Sequence, residues 1–228
     1  FVLDGTLRNL PMAALYDGKQ YLIEKYAVTL SPGLQLMAAR SLQQTELSAI
    51  VGGISESRSG FAALPAVKTE VQQIAKTVPS TKLLNQEFTG NALADRLRNS
   101  PSNIVHLATH GQFSSRLEDT FLLTWDGRVN VKELAELLKS RDASKAIDLL
   151  VLSACDTATG DDRAVLGLAG LAVKSGAKST IATLWPVKDK AAEMLMTQLY
   201  QQLRKPGTTK AEALRQAQIE IMRKTDFE

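Results

Sequence analysis

The chain has 228 residues, 44% apolar and 22% charged, which is the make-up of an ordinary globular protein able to bury a sizeable core. A net charge of +3, basic residues spread along the chain and only 5% aromatic residues argue against a nucleic-acid groove or a base-stacking platform. The single cysteine excludes an internal disulfide and points to a reducing, cytoplasmic compartment, and no uninterrupted apolar run reaches the length of a membrane span.

The first residues, FVLDGTLRNLP, hold no basic leader before an apolar core, so no signal peptide is expected. Without an initiator Met, the chain reads as a fragment or domain of something longer. Asp4-Gly5 and Asp17-Gly18 are hairpin-type dipeptides. Leu10–Leu15 reads as a short helical turn, Tyr21–Leu30 as a strand, and Ser31 as the cap of a helix over Gly33–Gln44. Ser48–Ile54 is a buried strand ending in Gly52-Gly53. A polar loop, Ser55–Ala62, follows.

Pro65–Thr77 spaces Val67, Val71 and Ile74 as a helix does. Lys82–Leu84 is a short strand, and Thr89 caps a helix to Asn99. Ile104–Ala108 is a strand that runs into Thr109-His110-Gly111. Phe121–Trp125 and Arg128-Val129 bracket the turn Asp126-Gly127, and Val131–Lys139 is a helix. Ile147–Leu152 is apolar but for Asp148, the mark of a strand covered on both faces; it ends at Ser153-Ala154-Cys155. A polar loop over Thr157–Ala164 is expected, then a small apolar helix over Leu166–Ser175 closed by Gly176. Ser179–Leu184 is another strand, and Ala191–Leu203 and Lys210–Met222 are amphipathic helices around the turn Pro206-Gly207. Strands alternating with helices predict an α/β fold with a mostly parallel sheet.

The chain has two histidines, His106 and His110. His106 lies inside an apolar strand and reads as a hydrogen-bonded core residue. His110 and Cys155 each follow an apolar strand at its carboxyl end, where open α/β sheets place their chemistry. An imidazole can take the proton of a thiol and return it to a leaving amine. The backbone amides of Gly111 and Cys155 are the natural donors to an oxyanion. No Asp or Glu is obviously placed as a third member; Glu118 and Asp119 are loose possibilities. The sequence GLAVKSGAKS lacks the strand and the Gly-Lys spacing of a phosphate loop. A turn explains Gly52-Gly53 better than phosphate binding does.

These motifs resemble those of caspase-like cysteine peptidases. HLATHG, LVLSACDTATG, LAGLAVKSGAKSTIATLWPV and DGTLRNLPMAALYDGKQYLIEKYAV are similar in text and order to the CHAT domain, commonly found after tetratricopeptide repeats in bacterial proteins. The likeness covers nearly the whole chain, 1–228, as one domain. It implies a caspase-like three-layer α/β/α sandwich and a cysteine endopeptidase with Cys155 as nucleophile and His110 as base. It implies neither metal nor organic cofactor. The partners expected are a protein substrate and an upstream repeat region or partner protein that regulates activity, with no nucleic acid contacted directly and no membrane. Separases share the His-Gly and Cys elements and a similar LW-x-V-x-D segment. By that likeness Asp189 receives a basic side chain of the substrate, with Asp156, beside the nucleophile, as its rival. Set against this are plainer readings: Asp189 as an acid at a helix N-terminus, Asp156 as a loop-ordering residue. The alternative function is a catalytically idle scaffold or signalling module that binds protein partners.

Overall fold

The structure is a computed structural model that describes residues 1–3, 7, 10–31, 46–112, 120–139, 147–153, 176–183 and 187–224. In chain order the elements are α1 (Leu22–Lys25), β1 (Ala49–Gly53), α2 (Pro65–Thr77), β2 (Ser80–Leu84), α3 (Gly90–Asn99), β3 (Ile104–Ala108), β4 (Gly111–Gln112), β5 (Phe121–Thr124), β6 (Gly127–Asn130), α4 (Val131–Lys139), β7 (Leu149–Ser153), β8 (Thr180–Ala182), α5 (Asp189–Leu203) and α6 (Lys210–Met222). They fall into two compact units, one of Phe1–Thr45 with Met194–Glu228, the other of Glu46–Glu193.

In the first unit Asp17 closes a tight turn, its carboxylate accepting from Lys19 N and Gln20 N. Gly18 sits there at φ 93°, a conformation that glycine takes freely. The strand expected over Tyr21–Leu30 is not formed. Glu24 Oε2 accepts from Tyr21 N at 2.6 Å and closes one helical turn, α1. Ile23 is buried, and its carbonyl accepts from Arg215 Nε of α6 at 2.8 Å. The helix expected over Gly33–Gln44 lies outside the described residues, as does the one over Leu166–Ser175.

The second unit holds a five-stranded, all-parallel sheet in the order β2-β1-β3-β7-β8, flanked by helices in the manner of a caspase-like α/β/α sandwich. β1, β3 and β7 are buried throughout, as strands covered on both faces must be. One face presents Ile50, Val105, Leu107, Leu150 and Leu152 to Leu93 and Leu97 of α3 and Leu134 and Leu138 of α4. The other presents Val51, His106 and Val151 in one row and Gly53, Ala108 and Ser153 in the next, beneath α2.

Helix ends follow local chemistry. α2 opens with Pro65, whose missing N–H would be unpaired there in any case. Thr89 Oγ1 accepts from Ala92 N to cap α3, and Asn130 with Glu133 forms a reciprocal cap on α4. Gly52 and Gly53 are not a turn. Both are strand residues kept small by close packing: a Cβ on Gly52 would lie 2.4 Å from the Phe88 ring, and one on Gly53 2.7 Å from Val67 of α2.

Candidate active site

From β1 the chain crosses through α2 to β2 on one side, then returns through α3 to β3 on the other. The loops leaving β1 and β3 therefore set out toward different helices from the carboxyl ends of those strands, where open α/β sheets place their sites. His110 lies in the loop after β3. Its Nε2 is 2.8 Å from the carbonyl oxygen of Ala62, in the loop after β1. A carbonyl only accepts, so Nε2 carries the hydrogen and, in the neutral ring, Nδ1 holds the lone pair.

Three sets of contacts fix this arrangement. Arg58-Ser59-Gly60-Phe61 is a two-residue hairpin closed by hydrogen bonds in both directions, with Ser59 at φ 51° and Gly60 at φ 85°. It lays the Phe61 ring on the His110 imidazole at 5.0 Å, stacked, and edge-on to Phe121 at 6.3 Å. Arg58 anchors the hairpin, its Nε donating to Trp125 O and its guanidinium lying 4.4 Å over the Trp125 ring. On the far side, Leu123 N donates to His110 O and Thr109 Oγ1 donates to Leu123 O, both at 2.8 Å. The base of the loop is tied by Asn85 Oδ1, which accepts from Ser55 N.

Gly111 starts β4, opposite Leu122. Because Leu123 N bonds to His110 O, the alternation of an antiparallel ladder turns the Gly111 N–H away from β5. That leaves it free of the ladder. Cys155 and Asp156 lie outside the described residues. The strand leading to them ends at Ser153, which pairs with Ala108, and Thr109 N donates to Ser153 O at 3.2 Å. Cys155 stands two residues beyond Ser153, as His110 stands two beyond Ala108.

Asp189 begins α5 but serves another helix. Its Oδ2 accepts from Ala66 N, near the start of α2, at 2.7 Å, and its Oδ1 is buried without a hydrogen-bond partner. Burial pushes the carboxyl above its ordinary range. The Ala66 N–H opposes this, nearby Glu70 and Glu193 add to it, and His110 opposes it. His110 and Asp189 thus share one end of the sheet.

Two site features carry no motif in the sequence. The Ala62 carbonyl is a backbone atom, and no letter marks it. Glu70 is different: Val67, Glu70, Val71 and Ile74 are the buried residues of α2, so a carboxylate occupies a place in the apolar stripe. Glu70 Oε1 lies 2.7 Å from His106 Nε2, with both side chains wholly buried.

A parallel sheet wrapped by helices, with a histidine at one strand end and a cysteine following the neighbouring strand, defines the caspase-like class. The CHAT domain family model matches residues 1–228, and the chain belongs to that family, whose caspase-like character is that of cysteine peptidases. None of the curated proteins matches. Among solved structures, the crystal structure of protein GSU0716 from Geobacter sulfurreducens is similar at 16% identity and TM-score 0.38, over 49% of this chain and 51% of that one. The chain thus spans about half the length of that protein, and a likeness this loose carries no argument. Among the described residues no helix is long and apolar enough to cross a membrane, and no cluster of three or more His, Cys, Asp or Glu could hold a metal ion.

Proposed function

We propose that the chain is a cysteine endopeptidase in which Cys155 attacks the scissile carbonyl and His110 serves as base and then as acid. The observation that carries this is the His110–Ala62 bond at the switch point of the sheet, one strand away from the cysteine strand. A ring held through Nε2 offers Nδ1 to a thiol and, once charged, keeps the thiolate as an ion pair. The Ala62 carbonyl then does the orienting work that a triad gives to an acid. The amides of Gly111 and Cys155 receive the oxyanion, and the proton returns to the departing amine. Asp189, with one oxygen bonded to α2 and the other buried and unpaired, supports a pocket for a basic substrate side chain. Asp156, next to the nucleophile, is its rival for that role. A repeat region or partner protein would control the activity.

Cys155→Ala and His110→Ala are each expected to abolish cleavage of a peptide library containing Arg and Lys sites, a loss of at least about a thousandfold by analogy with other catalytic dyads. Cleavage that survives both changes would refute the reading. Partner capture unaffected by Cys155→Ala, without labelling by thiol-reactive peptide electrophiles, would identify an idle binding module instead.

A further inference from the structure

Away from His110, the most unusual feature of the sheet is the Glu70–His106 pair. Both side chains are fully buried, His106 at the middle of the central strand β3 and Glu70 on the face of α2 that covers it. A buried pair of this kind stabilises a fold poorly, because desolvation offsets most of the attraction. Here it is also incompletely satisfied, since Glu70 Oε2 has no hydrogen-bond partner. Apolar residues fill the equivalent depth on the opposite face of the sheet. Core stability therefore does not explain the pair.

Its place in the chain does. Glu70 is one helical turn beyond Ala66, whose N–H is taken by Asp189. Ala62, whose carbonyl holds His110, is three residues before the first residue of α2. His106 is four residues before His110 on the strand that presents it. One contact thus locks α2 to β3 at the level from which both site contacts are hung. The lock works at short range: Gly53 and Ala108 line the next row, and a Cβ on Gly53 would meet both Val67 of α2 and the Ala108 carbonyl. Apolar contacts between α2 and the sheet are not directional and tolerate sliding. The hydrogen-bonded pair is directional and does not.

We propose that Glu70 and His106 are positioning residues, a buried pair that sets the register of α2 on β3 and so holds the Ala62 carbonyl on His110 and the Ala66 N–H on Asp189. This builds on the reading of His110 as the base, and the test keeps the two apart. With only two histidines in the chain, histidine-labelled protein gives ring signals that are easily assigned. With the Phe61 ring stacked at 5.0 Å, those of His110 are expected to be displaced upfield.

The deciding variant replaces Glu70→Leu and His106→Leu together. An apolar pair of this kind is commonly neutral or stabilising, so the fold survives while the lock is gone. More than half of the His110 displacement is expected to vanish, and alkylation of Cys155 by iodoacetamide near neutral pH to slow about tenfold as the thiolate loses its partner. Glu70→Gln, which keeps an acceptor for His106, should retain most of both. Val71→Ala, which loosens the same helix without touching the pair, should leave both unchanged. His110 signals that stay native in the folded double variant, or that Val71→Ala moves equally, would overturn the proposal. If wild-type Cys155 alkylates as an ordinary thiol, the dyad reading fails, and the His110 ring signals still judge the pair.

Discussion

The two faces of the parallel sheet are built to different rules. Under α3 and α4 the contacts are apolar throughout: Ile50, Val105, Leu107, Leu150 and Leu152 meet Leu93, Leu97, Leu134 and Leu138. Under α2 the same strands present His106 and Ser153, and the helix answers with Glu70. Ser153 Oγ and Glu70 Oε2 are both buried and unpaired on that side. The first face supplies cohesion, which depends on area and little on angle. The second gives up some cohesion for direction, and the Ala62–His110 and Ala66–Asp189 contacts lie on that side. Neighbouring residues on one strand, His106 and Leu107, thus serve different ends because alternate side chains point to opposite faces.

The contrast can be broken from either side. The largest effect is expected from Leu97→Ala on α3, which empties a fully buried position. It should cost about 2–5 kcal/mol in denaturant unfolding while the His110 ring signals stay native. Moved His110 signals would show that the two faces are not separable. Next is Thr109→Val, which removes the hydroxyl that donates to Leu123 O behind His110. A loss of about 1 kcal/mol is expected, and more from the carbonyl left unpaired, with a marked fall in cleavage rate; unaltered cleavage would mean that β5 does not steer the histidine.

The smallest effect concerns Asp189 and is read as a trend with pH. Burial raises its carboxyl above the ordinary 3.8. An acid raised in this way binds more protons folded than unfolded in the window above 3.8, so stability is lost as pH climbs through that window. Asp189→Asn removes the loss. Its Tm relative to wild type should therefore improve as pH rises above about 4 and then level off, and a flat difference throughout would show that the carboxyl is not held up by the fold.

Much of the framework was legible in the sequence because it is local. Pro65, Thr89 and Val131 mark helix starts that the structure keeps, and Ile104–Ala108 is a strand from end to end as its apolar run predicts. Tyr21–Leu30 misled because it is rich in aromatic and β-branched residues, whereas one carboxylate, Glu24, bends its start into a helical turn. Gly52-Gly53 misled in the opposite sense: the letters suggest a turn, and the cause is two close neighbours, Phe88 and Val67, far away in the chain. His110 was legible from its place after an apolar strand. The groups that hold it were not, since one is a main-chain carbonyl 48 residues away and another, Leu123, acts through its backbone. Glu70 left a trace, a charge in an apolar stripe, but its partner 36 residues on does not show in any spacing.

The hairpin Arg58–Phe61 has a consequence for how such loops can vary. It closes over two residues of positive φ and so has no slack. Arg58 is pinned to Trp125 at one end and Leu64 N to Ser55 O at the other, which makes the segment a gauge of fixed length. One residue more or less would carry a different carbonyl to the imidazole and turn the Phe61 ring off its face. The length of this loop is thus bound to the histidine it serves.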